Sequence, residues 1–380
     1  MNKIKIEDLK AGTRFSEAVY IEEDSLFVPA EVTIKAKDID RLKKWGIDEV
    51  TTEGHRINDD FLQKGDSGVL HDILSGSADT GVLKIYTFAV SRLETIFNAI
   101  KNGEDSIEKE DIDAIVNKVL PAIHEKKEEM LSFIILSGQN EASLPVSSVN
   151  CMILSIIIGI EIKLPDPKLF NLSVAALLHD IGMMKIPDVI KKKKGNLEEQ
   201  ERKLLNTHPL YSYKIITESL KYSNEIGKIA SQHHERWDGQ GYPRKVAGKD
   251  IHLYSRIITV ADAFEAMISK RPYRNSMIGY HAMRQLLNDN SRRFDSNVLK
   301  VFIKTMGIYP IGSIVLLNDA SIGRVTGVHP DAPLRPKLRI VVDKDGNKVA
   351  GKGPEIDLLQ VKNLFIAKAI NPEDLESEEL

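Results

Sequence analysis

One cysteine, Cys151, in 380 residues excludes an internal disulfide and fits a reducing compartment. Charge of one sign is also lacking. The 52 Lys and Arg against 55 Asp and Glu leave a formal net charge of −3, which argues against a general nucleic-acid binder. Long hydrophobic runs are missing too: the longest, around Met152 to Ile162, contains Ser155 and Glu161 and falls short of the roughly 20 residues that cross a bilayer. The polar start MNKIKIEDLK has no leader pattern. These absences predict a cytoplasmic protein with neither membrane nor nucleic acid as partner. What is present is 42% hydrophobic composition, enough for sizeable cores, over a length that suggests two or three domains.

Metal-capable side chains concentrate between Leu172 and Arg274, in the strings LSVAALLHDIGMMKIPD, NTHPLYS, SQHHERWDGQGYP and ITVADAFEAMISKRPYR. Leu172, Ala175 and Ala176 recur at helical spacing, and His179 continues that face at i+7. Gly182 and Pro187 then end the helix, leaving His179 and Asp180 in its last turn. A divalent ion needs neutral imidazoles and ionised carboxylates converging from several elements. This stretch offers His179, Asp180, His208, His233, His234 and Asp262. Asp180 is the candidate to bridge two ions, which in phosphoryl-transfer sites lie about 3.5 to 4 Å apart. On a helix, adjacent His233 and His234 would diverge by roughly 100° and so serve different ligands. Taken singly, a buried histidine bonded to a neighbour is commoner than a ligand. The set changes that balance, because four separate segments each bring a donor, whereas His55, His71, His124, His252, His281 and His329 are scattered without partners.

The order HDIG, HP, HHERWDGQGYP, VADAFEAM, RPYR resembles the HD-GYP proteins, a branch of the HD phosphohydrolase superfamily, over roughly residues 144–309. That resemblance implies an all-helical domain hydrolysing the second messenger cyclic di-GMP at a bi- or trinuclear centre, usually of iron or manganese. Carried over by position, the metal ligands are His179, Asp180, His208, His233, His234 and Asp262, and the phosphate-binding arginines are Arg271 and Arg274. Two departures from the pattern bear on the metals and the phosphate. Ser147 stands where the family has a metal-binding histidine, with Ser143 one turn earlier where trinuclear members carry a glutamate. Met183 replaces the lysine of HDIGK, leaving Lys185 two residues on as the substitute that would reach the phosphate. A binuclear site with two divalent ions is therefore expected. Glu265 and Lys270 also stand where relatives have aspartates and are expected to alter substrate placement.

Residues 1–54 read as a small α+β domain of regulatory role, with short β runs and a helix marked by Ile39, Leu42 and Trp45. A Gly, Ser and Asp-rich linker spans 55–81. Residues 82–310 form the helical HD-type bundle. Its apolar entry helices break at Pro121 and offer dimer contacts, and Asn196 with Glu199 makes a capping box before His208. From 311 to 380, β-branched runs and Asn-Asp and Asp-Gly turns predict a small antiparallel sheet or barrel followed by an acidic tail. The fold class is thus mainly α, with a small N-terminal α+β domain and a small C-terminal β extension.

The leading expectation is a phosphodiesterase in which metal-bound hydroxide attacks phosphorus in line, Asp180 bridges the ions, Arg271 and Arg274 hold phosphate oxygens, and pGpG or GMP leaves. Ser147 and Met183 favour a second reading, a cyclic di-GMP receptor without turnover. In a third, the chain is a scaffold whose Gly-Tyr-Pro loop binds a protein partner.

Overall fold

The computed structural model describes the greater part of residues 2–57, then 80–104, 107–137, 143–191, 193, 195–269, 278–349 and 353–370. Arg271, Arg274, Lys270, most of the expected linker and the acidic tail lie outside the described residues. The chain forms two compact units, Met1–Gly68 and Val69–Leu380.

In the first unit the strands are β1 (Asn2–Lys5), β2 (Arg14–Phe15), β3 (Val19–Ile21), β4 (Ser25–Val28), β5 (Glu49–Thr52) and β6 (Arg56–Ile57), with helix α1 (Ala36–Lys44) before β5. Antiparallel pairing gives the order β1-β5-β3-β4, while β2 pairs with β6. Val19, Val28 and Val50 from the sheet pack with Ile39 and Leu42 from α1. Trp45 does not join them. The helix ends at Lys44, so the indole leaves the apolar face; it is 61% exposed, with Arg41 over its ring.

The second unit contains α2 (Thr80–Asn102), α3 (Lys109–Ser137), α4 (Leu144–Glu161), α5 (Asp166–Leu177), α6 (Asp188–Lys191), α7 (Glu199–Leu205), α8 (His208–Lys214), α9 (Asn224–Ser231), α10 (Leu253–Ile268), α11 (Gly279–Asn288) and α12 (Ser296–Met306). Helix α4 is at its centre. Its sequence, LPVSSVNCMILSIIIGIE, has no polar face, and a helix apolar all round must be covered all round. Residues Ser148 to Gly159 are buried, with α2, α3, α5 and α10 packed around them. Among the described residues this is the one helix long and apolar enough to cross a membrane, and here its cover is protein.

The apolar stripe of α2, from Val82 through Tyr86, Ala89, Leu93 and Ile96 to Ile100, is buried in the same core against α3 and α4, so it is not left over for a dimer contact. Pro121 does not break α3. The missing amide costs one backbone bond, yet helical geometry continues to Lys126, where φ −133° and ψ 41° depart from it. The capping box before α7 is formed by Glu198 and Glu201, two residues beyond the expected pair. Arg256 of α10, partly exposed, and the buried Asp295 at the start of α12 form an ion pair at 2.6 Å.

Strands β7 (Ile314–Leu317), β8 (Ile322–Gly327), β9 (Lys337–Val342), β10 (Glu355–Asp357) and β11 (Ile366–Ile370) make an antiparallel sheet of order β10-β9-β8-β7-β11. Val315, Val325 and Leu338 bury one face. The sheet is tied to the helices by Arg324, which donates to Ser132 Oγ at 2.6 Å, and by Tyr309 stacked on Tyr280 with centroids 4.9 Å apart.

Candidate metal centre

Three helices end beside one another, and each delivers a histidine just past its last turn. The last carbonyls of a helix have no intrahelical donor. Here imidazoles supply it: His179 Nδ1–H donates to Ala176 O at 2.7 Å, His208 Nδ1–H to Leu205 O at 2.8 Å, and His233 Nδ1–H to Ala230 O at 2.6 Å. These bonds fix a proton on each Nδ1 and turn every Nε2 toward the cluster, the arrangement that orients ligating histidines.

The Nε2 atoms then converge on Asp180. Its Oδ1 lies 3.0 Å from His208 Nε2 and 3.4 Å from His233 Nε2, while Oδ2 lies 3.6 Å from His179 Nε2. His208 and His233 bring their Nε2 atoms to 3.4 Å. On the other side of His179, Asp262 Oδ1 is 3.6 Å from the same Nε2. Asp180, His208, His233 and His234 each present one ligand atom within 4.8 Å of the others. Despite these short distances, Asp180 Oδ1 is buried and accepts no hydrogen bond. Lone pairs facing lone pairs in a buried space repel, and a shared cation relieves that repulsion. The donor set therefore fits divalent metal.

Electrostatics agree with that fit. Burial lowers the pKa of His233 and, further, of His234, where neighbouring His233 and His208 add to the effect, so both rings stay neutral. Burial alone would raise Asp180 and Asp262, but the surrounding imidazoles outweigh it and hold both carboxyls well below their usual range. His179 differs. Burial pulls it down, yet Asp180 and Asp262 on either side prevail and raise it to about 9, so without a cation it carries a proton between the two carboxylates.

The backbone holds these segments at fixed separation. A Cβ at Gly182 would sit 2.1 Å from His208 O and 2.5 Å from Ser212 N, so only glycine lets the turn after His179 and Asp180 press against the start of α8. Ser212 Oγ closes the contact, accepting from Gly182 N at 2.9 Å and donating to His179 O at 2.7 Å. His233 and His234 are not helical as expected: α9 stops at Ser231, and in the following turn the two rings come to 4.0 Å and both join the cluster.

Two contributors escaped sequence reasoning. Tyr242 packs against His234 with centroids 4.7 Å apart and the rings tilted by 32°, and Glu235 Oε1 accepts from Arg244 N at 2.6 Å, folding the Gly-Tyr-Pro loop back on the histidines. Gly241 permits this, since a Cβ there would lie 2.4 Å from Arg236 N. Burial, then Asp180 and Asp262, push the Tyr242 hydroxyl upward, so it stays protonated. The adjacent glutamate and the glycines around Tyr242 were the available signal.

Lys185 is not brought to the cluster; its Nζ donates to Ile100 O at 3.2 Å. Ser147 is half-buried on α4, and Ser143 is exposed at its N-terminus. Glu265 is buried one turn from Asp262, accepting from Ser269 Oγ at 2.7 Å and Asn150 Nδ2 at 3.5 Å. Of the histidines set aside, three have carboxylates after all: His329 has Asp357 at 2.9 Å in the C-terminal sheet, His252 has Glu225 at 3.5 Å and His124 has Asp166 at 4.0 Å.

Residues 135–298 match the HD domain family, and residues 314–378 match the KOW domain associated with HD domain. With a His-Asp turn at the heart of the helical bundle, residues 135–298 form an HD domain. Within that class its HDIG and HHERWDGQGYP strings resemble those of the HD-GYP proteins. It is similar to the cyclic di-GMP phosphodiesterase PA4108 of Pseudomonas aeruginosa, 31% identical over 60% of this chain and 54% of that one. It is also similar to the cyclic di-GMP phosphodiesterase PdeB of Borreliella burgdorferi, 29% identical over 94% of this chain and 92% of that one. The chain thus spans about half the length of the Pseudomonas relative and nearly all of the Borreliella one. Bd1817, a HDG"Y"P protein from Bdellovibrio bacteriovorus, shares the fold at a TM-score of 0.50 and 15% identity, over 79% of this chain and 97% of that one.

Proposed function

We propose that the chain is a metal-dependent phosphodiesterase hydrolysing cyclic di-GMP to pGpG or GMP in the cytoplasm. The observation that carries the proposal is the convergence of three Nε2 atoms on both oxygens of Asp180. The substrate follows from the names of the two relatives above. Two divalent ions are the cofactors. Asp180 Oδ2 faces His179, which in turn faces Asp262, and these would hold one ion; Oδ1 faces His208 and His233, which with His234 would hold the other. Burial pushes the Cys151 thiol up and keeps it protonated, so the donors are imidazole and carboxylate, a set that suits iron or manganese.

Bound divalent ions supply Lewis acidity toward phosphoryl oxygens and lower the pKa of the water they coordinate. The chain's residues do the remaining work. The helix-end carbonyls fix the three Nδ1 protons, so no imidazole has to change tautomer on loading. Asp180 stays ionised and serves both halves of the centre. Tyr242 covers His234 and keeps water from that side, and Arg271 with Arg274 is assigned the phosphate oxygens. The Gly-Tyr-Pro loop acts here as a support for His234 rather than as a docking surface.

Ser147 and Met183 favour a second reading, a receptor that binds cyclic di-GMP without turnover. The test is incubation of anaerobically purified protein, loaded with iron(II) or manganese(II), with cyclic di-GMP, followed by chromatography beside Asp180→Ala. Product that depends on metal and on Asp180 supports hydrolysis. Tight binding with full metal loading and no product would sink the enzyme in favour of the receptor.

A further inference from the structure

An open cleft of about 110 Å³ lies between α10, α11 and the segment 289–294 that follows α11. Its polar lining is Asp262, Gln285, Asp289 and Arg293, with Met267 and Phe294 among its apolar walls. We infer that this cleft receives part of a guanine base, Arg293 and Asp289 reading its two adjoining edges; the inference rests on the proposed activity toward a guanine dinucleotide.

The position comes first. Asp262, a proposed metal ligand, forms one wall, so whatever enters lies next to the centre. The segment carrying Arg293 is fixed there by the Gly-Tyr-Pro loop: Trp237 N donates to Arg293 O at 3.1 Å and Asp238 N to Arg292 O at 2.9 Å. Arg293 is half-buried, sits 5.2 Å from the Phe294 ring centroid, and has no ion pair among the described residues. It is Arg292 that approaches Asp289, at 3.7 Å.

The chemistry then selects the occupant. A guanidinium left unpaired in a cleft invites either a phosphate or a flat acceptor pair. A phosphate would be placed beside the carboxylate of Asp289, which holds no metal and repels it. A neutral heteroaromatic edge meets no such repulsion, and apolar walls suit its faces. Guanine offers O6 and N7 as acceptors to the arginine fork, and its N1–H and 2-amino group as donors to a carboxylate. Adenine turns an amino group toward the arginine instead. At about 110 Å³ the cleft is smaller than the ~150 Å³ cavity that encloses benzene, so it takes the six-membered side of the base, where the two edges adjoin at O6, and leaves the sugar and phosphate outside, toward the metals.

Titration calorimetry of GMP, IMP and AMP into the full, manganese-loaded chain tests this. None of the three has a diester to cleave. The wild type should bind GMP on the order of tenfold or more tighter than AMP, with IMP, which lacks the 2-amino group, between them. Asp289→Asn should bring GMP down to IMP, and Arg293→Gln should bring IMP down to AMP. Arg293→Lys, which keeps the charge but loses the fork, should behave like Arg293→Gln; thermal melts confirm that each variant folds. Equal affinities in the wild type, binding of none of the three, or a uniform loss for all three in Arg293→Gln would overturn the assignment, the last moving Arg293 to a phosphate. Turnover of cyclic di-GMP by the wild type is followed in parallel. Base discrimination without turnover sinks only the catalytic reading, and turnover without discrimination sinks only the cleft.

Discussion

Replacing Gly182 with alanine tests how the centre is held together. The added Cβ would meet His208 O at 2.1 Å, Ser212 N at 2.5 Å and Ser212 Oγ at 2.8 Å. Two of these are backbone atoms, so relief requires the turn after Asp180 to move off α8 by on the order of an ångström. Overpacking of this kind costs about 1–3 kcal/mol. Displacing Ser212 from Gly182 N and His179 O adds roughly 0.5–1.5 kcal/mol for each hydrogen bond lost. The sum, about 2–6 kcal/mol, should lower the thermal midpoint by several degrees. More telling is the metal. His179 and Asp180 lie on one side of the contact and His208 on the other, so the same movement opens the 3.0 Å approach between Asp180 and His208. Metal content after dialysis against a weak chelator should fall well below that of wild type. Ser212→Ala is the control: it removes both bonds without a clash and should lose stability with a smaller loss of metal. A Gly182→Ala protein that keeps wild-type metal content and midpoint would refute the claim that this contact sets the ligand spacing.

Chelation should destabilise the wild type, because an ion bound only by the folded state adds stability by mass action, and Asp180→Ala should show little further shift on chelation; differential scanning with and without chelator reads both. Asp295→Ala removes a buried partner of Arg256 and the N-terminal cap of α12, where Asn297 N donates to it at 2.8 Å, and should cost about 3–5 kcal/mol in urea unfolding, with Asp295→Asn milder because it keeps the cap. Burial, opposed in part by Glu225, lowers the folded-state pKa of His252 below its usual 6.5, and its Nδ1 accepts from Tyr254 N at the start of α10. The unfolded chain therefore binds more protons, so this contribution is complete above about pH 6.5 and is lost as pH falls through the depressed value. His252→Asn, which keeps an acceptor and does not titrate, should flatten that part of the stability profile.

Helices were legible wherever apolar spacing was strict. The stripe on α2 lies where the periodicity puts it, and the all-apolar α4 is the center of the bundle. Legibility failed where one residue sits at the edge of an element. Trp45 continues the helical count from Ile39 and Leu42, but the helix stops one residue before it. His233 and His234 lie past the end of α9, so the angle expected from helical geometry did not apply. For the site, every expected ligand among the described residues is at the cluster, whereas Lys185 is bonded to a carbonyl of α2. Side-chain reach from a turn depends on local backbone direction, which residue spacing does not carry. Glu235 and Tyr242 were missed for a related reason: their work is to fold one loop onto His234, and that contact exists only in three dimensions.

The placement of the three histidines explains why the centre is built at helix ends. A helix that stops in the interior leaves carbonyls without donors, and burying them unpaired costs free energy. A histidine two or three residues past the stop meets that need with Nδ1–H and, by the same bond, turns Nε2 outward with its lone pair exposed. Repeating the device on α5, α7 and α9 aims three Nε2 atoms at one carboxylate, a polar arrangement the apolar core could not otherwise tolerate. Stability and ligand orientation are then coupled through the same three hydrogen bonds. Lengthening any of these helices by a turn would satisfy its carbonyls and misdirect the imidazole together, so breaks after Leu177, Leu205 and Ser231 are as much a part of the centre as the ligands themselves.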